Sequence, residues 1–106
     1  MPENNISNAF QTFMREAPQH AAAWGGMVQG MAAASALDEK TSSLAYLAVL
    51  AALRLESGIP FHVAAAKKAG ASREEMISAL LVGLPAAGNA VTAALPVALA
   101  AYDQAG

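Results

Sequence analysis

Between Leu44 and Leu53 the chain reads LAYLAVLAAL, ten residues without a charge. Wound as a helix, the run spans about 15 Å, half of the roughly 30 Å core of a bilayer. A helix that is apolar on every side belongs inside a protein, so the run predicts a helix buried nearly all round. Asp38 ahead of it is a good N-cap, and Glu39 lies in the first turn, where a carboxylate favours the positive end of the dipole. Arg54 stands at the far end, where a cation is favourable. Ser57, Gly58 and Pro60 then break the chain and open a new helix, with proline placed where its missing N–H costs little. That helix continues from Phe61 to Lys68, and Gly70 is its C′ residue. Ser72 with Glu75 three residues on forms a capping box for the next helix. The rest of the chain reads most simply as packing around this stretch, Leu37 to Glu75.

On the N-terminal side, Ile6, Ala9, Phe10, Phe13 and Ala17 recur at helical spacing and predict a first amphipathic helix ending before Pro18. A second helix carries Trp24, Met27, Val28 and Met31 at i, i+3, i+4 and i+7. Gly25, Gly26 and Gly30 weaken it by about 1 kcal/mol each relative to alanine, or else admit another helix at close range. The Trp and Met stripe reads as core or subunit contact rather than as a ligand box, and His20 near the helix start as solvated or capping. On the C-terminal side, Met76 to Tyr102 holds no charge over 27 residues, long enough for a membrane span. Gly83, Pro85, Gly88, Asn89, Thr92 and Pro96 interrupt it, and much of its apolar content is alanine. It therefore reads as two buried helices, about 73–83 and 86–102. No stretch alternates as a strand does, so residues 1–106 form a single all-α domain.

Composition sharpens this. The residue set AVILMFWYC makes up 56% of the 106 residues and charged residues only 13%, against about 25% in an ordinary soluble domain. So few charges do not cover a small domain, and part of its apolar surface should be buried against identical subunits or lipid. The net charge is −2 and the basic residues form no run longer than Lys67-Lys68, which argues against nucleic acid. Cysteine is absent, so disulfides, thiolate nucleophiles and zinc–cysteine sites are excluded. With only His20 and His62, a multi-histidine metal site is not expected. The opening MPENNISNAF has neither a basic nor an apolar leader region, and the default compartment is the cytoplasm.

The order of Lys40-Thr41, LAYLAVLAAL (Leu44 to Leu53), Phe61-His62-Val63, KAGASREE (Lys68 to Glu75) and LLVGLPAAGN (Leu80 to Asn89) resembles the carboxymuconolactone decarboxylase and alkylhydroperoxidase D-like superfamily. The resemblance covers about residues 37–102, with the first two helices fitting by length and type. It implies an all-α bundle of about six helices that assembles into trimers or hexamers, in keeping with the charge deficit. In the dithiol peroxidase branch of that superfamily a glutamate precedes a CxxC pair and a histidine follows four residues later. Counted back from His62, those cysteines fall at Leu55 and Gly58 and the glutamate at Ser43. Only the histidine survives, and dithiol peroxide reduction is rejected because no two sulfurs can cycle. The decarboxylase branch needs no cysteine, but it usually carries arginine and glutamate near 55 and 58. Arg54 and Glu56 are displaced from those positions, and a one-residue shift turns a helical side chain by about 100°.

His62 is the candidate catalytic residue. It falls in the first turn or so of its helix, where the dipole lowers an imidazole pKa and favours the neutral base. Neutral imidazole can take a proton alpha to a carbonyl or orient a carboxylate-bearing substrate. Ser43, Glu56 and Ser57 are the candidates to orient it and to bind. The competing account is a histidine satisfied by hydrogen bonds at a helix junction, with Glu56 a solvated helix-end charge and Ser43 a first-turn hydroxyl bonded to backbone. Three functions follow. The first is a cofactor-free decarboxylase or isomerase of a small organic acid or lactone, with its pocket at a subunit interface. The second is a non-catalytic ligand-binding or scaffold oligomer that has lost the chemistry. A membrane-associated protein ranks last.

Overall fold

The computed structural model describes residues 6–106. The described residues form no strand. They wind into α1 (Asn8–Glu16), α2 (Pro18–Ala34), α3 (Glu39–Ala52), α4 (Ile59–Lys68), α5 (Arg73–Leu81), the single turn α6 (Leu84–Ala87) and α7 (Ala94–Gln104). Short 3-10 turns at Glu56–Gly58 and Asn89–Ala93 join α3 to α4 and α6 to α7. The all-α bundle is as expected: six helices of nine residues or more, plus one single turn.

Local chemistry sets most of these boundaries. Ser7 caps α1 by accepting from the Phe10 amide at 3.2 Å, and Asp38 caps α3 by accepting from the Thr41 amide at 2.7 Å. Both hydroxyl and carboxylate oxygens satisfy amides that the first turn leaves unpaired. Pro18 opens α2 and Pro60 lies in the first turn of α4. Gly70 ends α4 at φ +104, with the Ala71 amide reaching back to the Ala66 carbonyl at 3.0 Å. The capping box forms as expected: Ser72 Oγ accepts from the Glu75 amide at 3.0 Å, and a Glu75 oxygen accepts from the Ser72 amide at 2.8 Å. Glu75 also accepts from Lys40 Nζ at 2.9 Å, tying the start of α5 to the first turn of α3.

The core lies among α3, α4, α5 and α7. Leu47, Ile59, Val63, Met76, Leu80 and Val91 are its largest fully buried side chains, with small alanines such as Ala66, Ala94 and Ala98 between them. α4 packs between α3 and α7, and α5 lies against α3. α1 and α2 pair with each other, through an edge-to-face contact of Phe10 on Trp24 at 5.0 Å, and neither helix contributes a buried residue. The Trp24–Met31 stripe is therefore not core within one chain.

Two expectations are corrected. α3 is not buried nearly all round: Leu47, Leu50 and Ala51 face the core, while Tyr46, Val49 and Leu53 lie 46%, 51% and 62% exposed. The core covers only one face of this helix, and among the described residues the other face is left largely open, with His62 alongside Tyr46. Nor does one helix span 86–102. Gly88 takes φ +86 and ψ −177, a conformation that no helix can contain, and the chain resumes α-helix only at Ala94. As the same break implies, no helix among the described residues is long and apolar enough to cross a membrane.

α7 is held at its C-terminus by side chains from the far side of the sequence. Lys67 Nζ donates to the carbonyls of Tyr102 at 2.8 Å and Ala105 at 3.0 Å and lies 4.4 Å from the Tyr102 ring centre. Tyr102 Oη donates to the Ala71 carbonyl at 2.8 Å, and Arg73 pairs with both Asp103 oxygens at 2.9 and 3.0 Å. A cation on helix C-terminal carbonyls complements the negative end of the dipole. Lys67→Met keeps the stem and removes these bonds, and it should cost about 1–2 kcal/mol. Urea unfolding of the two proteins at equal concentration checks this, and an unchanged midpoint would show that the clamp carries no stability.

Candidate functional site

The candidate site lies where α3 turns into α4. α3 ends with Arg54 in the left-handed conformation, φ +62, at the position that glycine usually takes after a helix. The Leu55 amide then reaches back to the Leu50 carbonyl at 2.9 Å and closes the end of the helix. Holding a non-glycine residue there costs about 1–2 kcal/mol. Arg54 Nε donates to Glu56 at 2.9 Å, so the Glu56 carboxylate is engaged within the turn. The 3-10 turn Glu56–Gly58 runs directly into α4, where the fully buried Ile59 and Val63 anchor the helix and set the direction of His62 between them.

His62 is half-buried and stands between two aromatic rings. Its ring centre is 4.5 Å from that of Tyr46 on α3, tilted 44°, and 5.1 Å from that of Phe61, nearly perpendicular at 83°. Burial disfavours the imidazolium and pulls the pKa below its ordinary 6.5. The direction is the one expected from sequence, and its cause is the loss of water around the ring. A neutral imidazole at neutral pH has one ring nitrogen with a free lone pair, which is what a base requires.

The other candidates are placed as follows. Ser43 is half-buried on α3, one turn before Tyr46, and Ser57 is exposed in the 3-10 turn. Among the described residues no hydrogen bond joins His62 to Ser43, Glu56 or Ser57. Tyr46 is the neighbour that sequence reasoning missed. Its signal was present: it carries the only hydroxyl in the apolar run and lies three residues after Ser43, on the same side of the helix. No three of His, Asp and Glu come together among the described residues in a way that would hold a metal ion. An open cleft of about 330 Å³ lies elsewhere, lined by Ser7, Ala9, Phe10, Phe13 and Trp24 between α1 and α2.

The shifted imidazole has a consequence for stability. Just below pH 6.5 the unfolded chain binds a proton at His62 that the folded chain does not. The contribution is whole above that pH and is lost as pH falls through the lowered folded value. The carboxylates of Asp38, Glu75 and Asp103 are lowered by their hydrogen bonds to Thr41, Ser72 and Arg73 respectively, and their contributions fade only in the more acidic carboxylate range. The melting temperature should therefore begin to fall below about pH 6.5, and His62→Leu should flatten the first part of that decline. Melting curves across the pH range read this, with an equal early decline in both proteins counting against a buried neutral His62.

The sequence model of the carboxymuconolactone decarboxylase family matches residues 18–100. A carboxymuconolactone decarboxylase family protein from Legionella pneumophila, solved by crystallography, superposes with a TM-score of 0.78 at 26% identity, over 93% of this chain and 92% of that one. No curated protein matches the chain.

Proposed function

The chain belongs to the carboxymuconolactone decarboxylase family, and from that premise we propose that it is a cofactor-free decarboxylase or isomerase of a small organic acid or lactone with His62 as its base. The observation that carries this reading is the half-buried, neutral imidazole set against Tyr46 at the α3–α4 turn. The imidazole lone pair takes the hydrogen alpha to a carbonyl, and the C–H electron pair moves into the carbonyl as an enolate. In an isomerase the imidazolium returns that proton to another carbon. In a decarboxylase the carboxylate leaves as CO2, its bonding pair passes into the conjugated carbonyl, and an imidazolium protonated from solvent quenches the enolate. Ser43 and Ser57 offer hydroxyls to substrate oxygens, and Glu56, held by Arg54, orients the polar end of the ligand. The protein acts in the cytoplasm as a homo-oligomer, a trimer or hexamer. Dithiol peroxidase chemistry has no place, because the chain contains no cysteine.

A second reading, a non-catalytic ligand-binding or scaffold oligomer, draws support from one observation: none of the three candidate partners is hydrogen-bonded to His62. A thermal-shift panel of small carboxylates, lactones and β-keto acids separates the two. A true ligand at ten times its Kd stabilises by about 1.4 kcal/mol, a rise of roughly 5–10 °C in a chain this size. The proposal expects that rise for wild type and its loss for His62→Ala. A blank panel, with the variant as stable and as oligomeric as wild type, favours the scaffold.

A further inference from the structure

A carboxylate that enters a half-buried site needs a cation to replace its water. The chain has six basic residues, and five of them are already engaged. Arg15 pairs with Glu16, Lys40 with Glu75, Arg54 with Glu56 and Arg73 with Asp103. Lys67 donates to the last carbonyls of α7. Lys68 has no ion-pair partner among the described residues, but it is exposed on α4 six positions after His62. That spacing puts it about 9 Å along the helix and roughly 120° around it. At the α3–α4 turn itself the one cation is Arg54, and its pair with Glu56 at 2.9 Å carries no net charge. The imidazole is a poor substitute, because burial favours its neutral form. A carboxylate that did hold a proton on His62 would also take up the lone pair that a base requires.

What the site offers instead is uncharged. The Tyr102 hydroxyl is spent on the Ala71 carbonyl, whereas the Tyr46 hydroxyl has no hydrogen-bond partner among the described residues. Tyr46 is half-exposed, its ring centre is 4.5 Å from that of His62, and Phe61 lies against the imidazole at 5.1 Å. A phenol hydroxyl stands just beyond its ring, so one small molecule spans from it to the imidazole. The aromatic rings give a planar molecule apolar surface to lie on.

We propose that this site selects an uncharged, planar carbonyl compound, an unsaturated ketone or ester, over a free carboxylate, and that the Tyr46 hydroxyl donates to its carbonyl oxygen. The imidazole lone pair takes the alpha hydrogen, the C–H pair forms a carbon–carbon double bond, and the carbonyl π pair moves onto the oxygen that Tyr46 holds. Returning the proton at the far end of a β,γ double bond gives the α,β isomer and restores the neutral imidazole, so no co-reactant is consumed. This names the substrate class of the proposed function and rests on that reading for His62 as the base. The preference for an uncharged ligand rests on the charges alone.

Ester and acid of one skeleton test it, methyl levulinate against levulinate and methyl acetoacetate against acetoacetate. Binding is read from the imidazole C–H resonances, of which the chain has two sets, assigned with His62→Gln. The esters should shift the His62 resonance, and the acids should need at least about tenfold higher concentration to do so. Tyr46→Phe keeps the ring and should leave the titration midpoint of His62 in place. It should weaken ester binding by about fivefold to tenfold and slow exchange of the alpha hydrogen into deuterium oxide by about 100-fold. Acids that bind as well as their esters would overturn the selectivity, and loss of that binding in Arg54→Gln would identify the cation responsible. Equal binding and exchange in Tyr46→Phe and wild type would overturn the role of the hydroxyl, and no shift with any compound would overturn both. The two proposals fail separately. An ester that binds through Tyr46 without exchanging its hydrogen leaves the selectivity standing without the chemistry. A carboxylate that binds and exchanges through His62 leaves the chemistry standing without the selectivity.

Discussion

Leu47→Ala lowers the stability of this protein by about 3 kcal/mol and its melting temperature by roughly 10–20 °C. Leu47 is fully buried on the inward face of α3 and belongs to the cluster that includes Ile59, Val63, Met76 and Leu80. Truncation removes its transfer free energy and leaves a cavity that helices from four parts of the chain would have to move to fill. The effect also reaches the candidate site, because Tyr46 is the adjacent residue on α3 and the His62 ring packs against it. Chemical unfolding at one fixed protein concentration measures the loss, since oligomers gain apparent stability by mass action. A loss below about 1 kcal/mol would mean that α3 buries a different face from the one described.

Gly88→Ala destabilises by about 1–3 kcal/mol for a different reason. With φ +86 and ψ −177, Gly88 occupies a region of backbone space that residues with a β-carbon avoid. An added β-carbon would meet no atom within 4 Å, so the cost is local backbone strain and not a clash with a neighbour. Gly83→Ala provides the contrast. Gly83 has φ −87 and ψ 2, and its added carbon would reach the Ala52 side chain at 4.0 Å, an ordinary contact. It should be neutral or stabilise by about 0.4–1 kcal/mol, because alanine has less freedom to lose on folding. Equal effects at the two glycines, read from the same unfolding curves, would contradict the conformation assigned to Gly88.

What could be read from the sequence was local. Asp38, Gly70 and the Ser72–Glu75 pair announce helix ends because a cap is made by residues within a few positions of one another. Pro18 and Pro60 do the same through a fixed φ and a missing donor. The Met76–Tyr102 stretch shows the limit of this. Gly88 could be read as a break, but the length of chain that it takes out of the helix depends on its actual dihedrals and on how Val91 packs into the core. The outer face of α3 was unreadable for another reason. LAYLAVLAAL is apolar on every side, so periodicity does not distinguish the face that meets its own core from the one left over. His62 stood out as the lone interior histidine, whereas its contact with Tyr46 joins residues 16 apart and needs the α3–α4 turn to be known first. The tie from Lys67 to the end of α7 crosses 35 residues and left no mark in either segment.

His62 as a base is tested most directly by proton exchange at carbon. β-keto acids and lactones are incubated in deuterium oxide with wild type or His62→Gln, and the hydrogen alpha to the carbonyl is followed by NMR, with CO2 release measured alongside. Wild type should exchange that hydrogen or release CO2 from at least one compound, and His62→Gln should be slower by about 100-fold or more. Equal rates in the two proteins, or no reaction above the buffer rate with wild type, would contradict the account.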